Sequence, residues 1–88
     1  MTTRDEITDQ LRNYIRAEFE IEADDGEFTD DVHLFDYGYV DSLGAVKLMG
    51  YIEEAFGVEI TNKDLMMHAM NTLNEIAAVV ADKVAVAR

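Results

Sequence analysis

Ser42 is the residue of this 88-residue chain whose type and setting could support chemistry. It follows Leu34-Phe35-Asp36-Tyr37-Gly38-Tyr39-Val40-Asp41 and leads into Leu43-Gly44-Ala45-Val46-Lys47-Leu48-Met49, where apolar residues begin to recur at helical spacing. A glycine-containing loop that delivers an exposed hydroxyl to a helix start makes a site for a phosphate ester. Free backbone N–H groups and the positive end of the helix dipole both favour an anion there. No partner for acid–base chemistry lies beside the serine. The hydroxyl therefore reads as an attachment point, with Asp41 beside it as a helix cap, and no catalytic residue is assigned.

Other candidate chemistries fail on spacing. The acidic run Asp24-Asp25-Gly26 invites a calcium loop, but aligning Gly26 with the invariant glycine puts Ile21, Ala23 and Val32 at the first, third and last ligand positions. His33 and His68 stand alone, without the neighbours of a zinc site. No metal is expected. Cysteine is absent, which removes disulfides, thiolate metal sites and any protein thiol nucleophile.

The formal net charge of -12, from 19 acidic and 7 basic side chains, opposes binding to nucleic acid or an anionic membrane and favours a basic protein partner. The polar start Met1-Thr2-Thr3-Arg4-Asp5-Glu6 lacks the apolar region of a signal peptide, and no later stretch is long enough to span a bilayer. A cytoplasmic monomer with no stable membrane insertion is expected. With 49% hydrophobic residues, the length suits one domain over residues 1–88.

The elements that must position Ser42 are helices. Thr3 with Glu6 fits a capping box, and Ile7, Leu11, Tyr14, Ile15 and Phe19 then follow a helical period, predicting a first helix over about 3–20. A long acidic loop follows, reaching Asp41, which Phe28, Val32, Leu34, Phe35 and Val40 can pin to a core. A second helix runs from an Asp41 cap to about Phe56, with Gly57 as its stop. Thr61 with Asp64 opens a short methionine-rich helix, and Thr72 with Glu75 opens the last, striped by Leu73, Ile76, Ala77, Val80 and Val84. The expected fold is all-α: a small four-helix bundle of three main helices and one short one, with a long loop between the first two.

On the second helix, Ala45, Leu48, Ile52, Ala55 and Phe56 share one side, with Met49 at the margin. Leu43 lies about 180° from Ile52, so an apolar side chain is held off the core next to Ser42. Val46, Lys47, Gly50, Glu53 and Glu54 continue this outward side, a surface for a partner with an apolar pocket and a basic rim. Lys47 has two readings: a partner for a phosphate on Ser42 or a carboxylate on another protein, or a plain surface lysine. Met49, Met66, Met67 and Met70 read first as core filling.

The Leu-Phe-Asp-Tyr-Gly approach, the Asp41-Ser42-Leu43 step and the Ile52-Glu53-Glu54-Ala55-Phe56-Gly57-Val58-Glu59-Ile60 exit together resemble an acyl carrier protein, across essentially the whole chain. That resemblance implies 4'-phosphopantetheine on Ser42, placed there from coenzyme A by a phosphopantetheinyl transferase with Mg²⁺. It also implies acyl or aminoacyl groups held as thioesters and exchanged with loading and processing enzymes that read Leu43, Val46, Gly50 and Glu54. A bound acyl chain could slip between the helices beside the methionines. Gly44 and Lys47 depart from the acidic residues usual there in carriers of fatty-acid synthesis. This departure, and the Phe-Asp-Tyr-Gly-Tyr-Val approach, point to a free-standing carrier of a specialised acyl, polyketide, peptide or D-alanyl pathway. The competing reading is an unmodified acidic helical adaptor for a basic protein.

Overall fold

The computed structural model describes residues 3–86, and the described residues contain four helices and no strands. The first, α1, spans Arg4–Glu18. Thr3 caps it by accepting the Glu6 N–H on its hydroxyl, and Ile7, Leu11 and Ile15 present one buried stripe. The helix ends two residues before the sequence period suggests. Glu20 takes a left-handed conformation at φ 53°, and the Ile21 N–H returns to the Arg16 carbonyl at 3.0 Å, so the last free carbonyls are satisfied by a turn.

Residues 19–41 form the long connection, and it is ordered by packing and by polar ties. Phe28, Val32, Leu34 and Val40 are buried, while Phe35 is half-buried. Arg12 grips Asp30 with Nη2 at 2.7 and 2.8 Å from the two carboxylate oxygens, and the Arg16 guanidinium lies 4.9 Å from the Phe28 ring centroid. Asp25, in the acidic run, accepts the Tyr39 hydroxyl at 3.0 Å and the Glu27 N–H at 2.9 Å.

The second helix, α2, spans Ser42–Phe56 and the third, α3, spans Asn62–Met67. Gly57 ends α2 at φ 66°, a left-handed position that glycine takes without a Cβ clash. Thr61 and Asp64 make the expected capping box at α3. The Lys83 ammonium, 2.7 Å from Asp64, and the Thr61 N–H and hydroxyl hold that carboxyl well below the usual carboxylate range. The last helix, α4, spans Leu73–Val86, and Thr72 and Glu75 exchange reciprocal hydrogen bonds of 3.1 Å at its start.

The core lies where α1 packs along α4, with α2 meeting α4 more narrowly through Leu48 and Ile52. Leu34 and Val40 from the long connection complete it. Between α1 and α2 the joint is aromatic: Tyr14 stacks on Tyr51 at 3.9 Å, with Phe19 and Phe56 set edge-on at either end. Two sequence expectations are corrected here. Ala55 is exposed, and Tyr51, about 40° away around the helix, takes the covered position, because its ring reaches Tyr14 where a methyl cannot. Among the methionines, Met70 is buried and Met49 half-buried, but Met66 and Met67 project from α3, which buries none of its residues.

Candidate functional site

Ser42 stands as the first residue of α2, exposed at its N-terminus. The approach is a compact run of turns: Tyr37 N–H to His33 carbonyl, Gly38 N–H to Phe35 carbonyl and Val40 N–H to Leu34 carbonyl, each at 3.1 Å. Gly38 adopts φ 79° in that run, which a side chain would resist. His33 has a structural part, its Nδ1 accepting the Asp36 N–H at 3.1 Å. Leu34 and Val40 lock the approach to the core from both ends, so the serine leaves a fixed platform.

Asp41 caps α2, its Oδ1 accepting the Gly44 N–H at 2.7 Å while its carbonyl accepts the Ala45 N–H at 2.8 Å. The serine hydroxyl is thus not needed as the cap. The N–H groups of Ser42 and Leu43 lie within the first turn, where no helical carbonyl can reach them, and they point toward the end where an anion is stabilised. An exposed hydroxyl at that position fits a phosphodiester.

Gly44 is buried against the end of α1. A Cβ there would lie 2.7 Å from Phe19 Cε1 and 3.2 Å from Asp41 Oδ1. This is a reason for glycine that no local pattern announces, and it excludes an acidic side chain at position 44 unless the Phe19 ring moves. Gly44→Ala is expected to destabilise the chain by about 1–3 kcal/mol through overpacking. A denaturant series should show part of that loss recovered when Phe19→Leu is added, since the two sites are in contact.

The outward side of α2 is open: Leu43 is 76% exposed and Val46 71%, and Lys47, Gly50, Glu53 and Glu54 are exposed too. Two of these residues carry local ties. Lys47 Nζ sits 3.5 Å from Glu18 Oε1, and Glu53 Oε2 accepts the Ile60 N–H at 3.1 Å, fastening the segment after α2. Neither tie is visible as a short-range pattern. Beside this face, between α2 and α3, runs an open groove of about 680 Å³. Ala45, Val46, Met49, Leu65 and Met70 give it apolar walls, and Glu53, His68 and Asn71 add polar groups.

A helical fold that holds one exposed serine at a capped helix start, beside an apolar face and groove, defines the class of carrier domains. The chain matches the family described as a phosphopantetheine attachment site over residues 9–80, and it belongs to that family. The cofactor of the family is covalent 4'-phosphopantetheine, and its carrier domains interact with phosphopantetheinyl transferases and processing enzymes. A comparison with curated proteins returns no match. Among the described residues, no helix is long and apolar enough to cross a membrane.

Proposed function

We propose that Ser42 carries 4'-phosphopantetheine and that the chain acts as a non-catalytic carrier of acyl or aminoacyl groups. The observation that carries this reading is the Ser42 hydroxyl, exposed at the start of α2 while Asp41 does the capping. When bound, the cofactor supplies the thiol that this cysteine-free chain lacks, and groups travel on it as thioesters. The chain's own residues do the rest. Asp41 keeps the first turn formed, the N–H groups of Ser42 and Leu43 favour the phosphodiester charge, and Leu43, Val46, Gly50 and Glu54 offer a surface to partner enzymes.

The pathway class we propose is a specialised acyl, polyketide, peptide or D-alanyl route. Its support is the missing acidic residue after Ser42-Leu43, which the packing of Phe19 on Gly44 excludes, together with Lys47 on the outward face. The groove between α2 and α3 offers a place for a short acyl chain, with Met49 and Met70 as adaptable walls.

Co-expression with a phosphopantetheinyl transferase, followed by intact mass and peptide mapping, tests the assignment. A phosphopantetheine adduct on the Ser42 peptide supports it. An unmodified chain, under conditions where a known carrier is converted, favours the acidic adaptor. Leu43→Asp is expected to lower the rate of modification about tenfold, as loss of one well-buried apolar contact in a partner's pocket would. Because Leu43 stands clear of the core, the stability of this variant should stay within about 0.5 kcal/mol of wild type in urea unfolding.

A further inference from the structure

The charges along α2 are ordered, and the order runs against the charge of the chain. From Ser42 to Ile52 the one charged residue is Lys47, while the two carboxylates, Glu53 and Glu54, close the helix. At 1.5 Å of rise per residue, the cation lies about 7.5 Å along the helix from Ser42 and the carboxylates about 17 Å. In a chain of net charge -12, the surface nearest the candidate attachment residue is therefore apolar and cationic: Leu43, Val46 and Lys47 on α2, with Lys63 and Met66 exposed on α3. Lys47 is 64% exposed at the side chain and meets Glu18 only as a surface pair, which holds a lysine weakly, so a carboxylate on another protein can recruit it. Asp41, the carboxylate nearest Ser42 in sequence, is engaged by the Gly44 N–H.

We propose that the phosphopantetheinyl transferase docks on this face with a polarity set by that order. An apolar pocket takes Leu43 and Val46, a carboxylate of the transferase faces Lys47, and its cations meet only Glu53 and Glu54 at the far end of α2. The inference rests on the assignment of Ser42 as the modified residue and adds to it the chemistry of the partner. Charge complementarity is the reason. A uniformly basic partner would be repelled at Lys47 and attracted everywhere else on the chain, whereas a partner of mixed sign fits both halves of the helix and fixes its direction.

The sign of one substitution separates these cases. Modification by a broad-specificity phosphopantetheinyl transferase with coenzyme A and Mg²⁺ is followed by intact mass for wild type, Lys47→Glu, Lys47→Gln and Glu54→Lys. The expected result is a KM for the carrier raised about fivefold by Lys47→Glu and Glu54→Lys and about twofold by Lys47→Gln, each effect shrinking at high salt as screening predicts. Lys47→Gln keeps the test decisive if a second glutamate beside Glu18 loosens the fold, and thermal unfolding of each variant shows whether it does. A KM unchanged or lowered in both Lys47 variants overturns the proposal while wild-type modification leaves the Ser42 assignment standing. A wild-type chain that no transferase modifies overturns both.

Discussion

Ser42→Ala is expected to abolish phosphopantetheine attachment completely while leaving the fold intact. The reason for complete loss is chemical: the hydroxyl oxygen is the atom that would join the phosphate, and alanine offers none. The reason for an intact fold is geometric. The capping bond at the start of α2 comes from Asp41, the serine side chain is exposed, and alanine is a good helix former at the first helical position. Stability should therefore change by no more than about 0.5 kcal/mol, which thermal unfolding can check. Intact mass after incubation with transferase and coenzyme A should show the adduct on wild type alone. An adduct on the alanine variant would place the attachment elsewhere, and a collapsed fold would mean that Ser42 supports α2 in a way its exposure does not suggest.

The second large effect belongs to Leu34, on the approach to the site. This side chain is wholly buried, its N–H donates to the Asn71 carbonyl at 2.9 Å, and its carbonyl accepts the Val40 N–H at 3.1 Å. One residue thus ties the connection after α1 both to the start of α4 and to the turn that ends at Asp41. Leu34→Ala should remove about 2–5 kcal/mol, the usual range for a leucine truncated in a packed core. In a domain of this size that lowers the unfolding midpoint by at least about 8 °C. Amide exchange at Val40 and Ser42 should speed up as the platform loosens, and modification of Ser42 should slow because its approach is no longer held. A midpoint within about 2 °C of wild type would show that the connection anchors itself through Phe28 and Val32 instead.

How much of this was legible beforehand can be judged residue by residue. The capping pairs Thr3/Glu6, Asp41/Gly44, Thr61/Asp64 and Thr72/Glu75 are local, since each bond joins groups three residues apart, and sequence spacing located all four helix starts. The stripe of α1, the Gly57 stop and the buried anchors of the long connection were legible for a similar reason: periodicity and backbone preference are properties of short segments. The outward setting of Leu43, Val46 and Gly50 followed from the same angular argument, and the structure places all three in the open.

The partners of these residues were not legible. Phe19 against Gly44, Tyr14 on Tyr51, Glu18 beside Lys47, Arg12 on Asp30 and Lys83 on Asp64 join residues 18 to 37 positions apart, and no local period encodes which helix another will meet or at what level. For that reason Ala55 was assigned to the core in place of Tyr51, and Met66 and Met67 to its filling. By itself, then, the sequence determined where each helix begins and which serine a helix start presents, because caps, glycine stops and apolar periods act within a few residues. Only the tertiary structure decided why position 44 must be glycine, which side chains close the joint between α1 and α2, and that the face beside Ser42 is apolar and cationic, because those outcomes depend on distances between segments that meet only once the chain has folded.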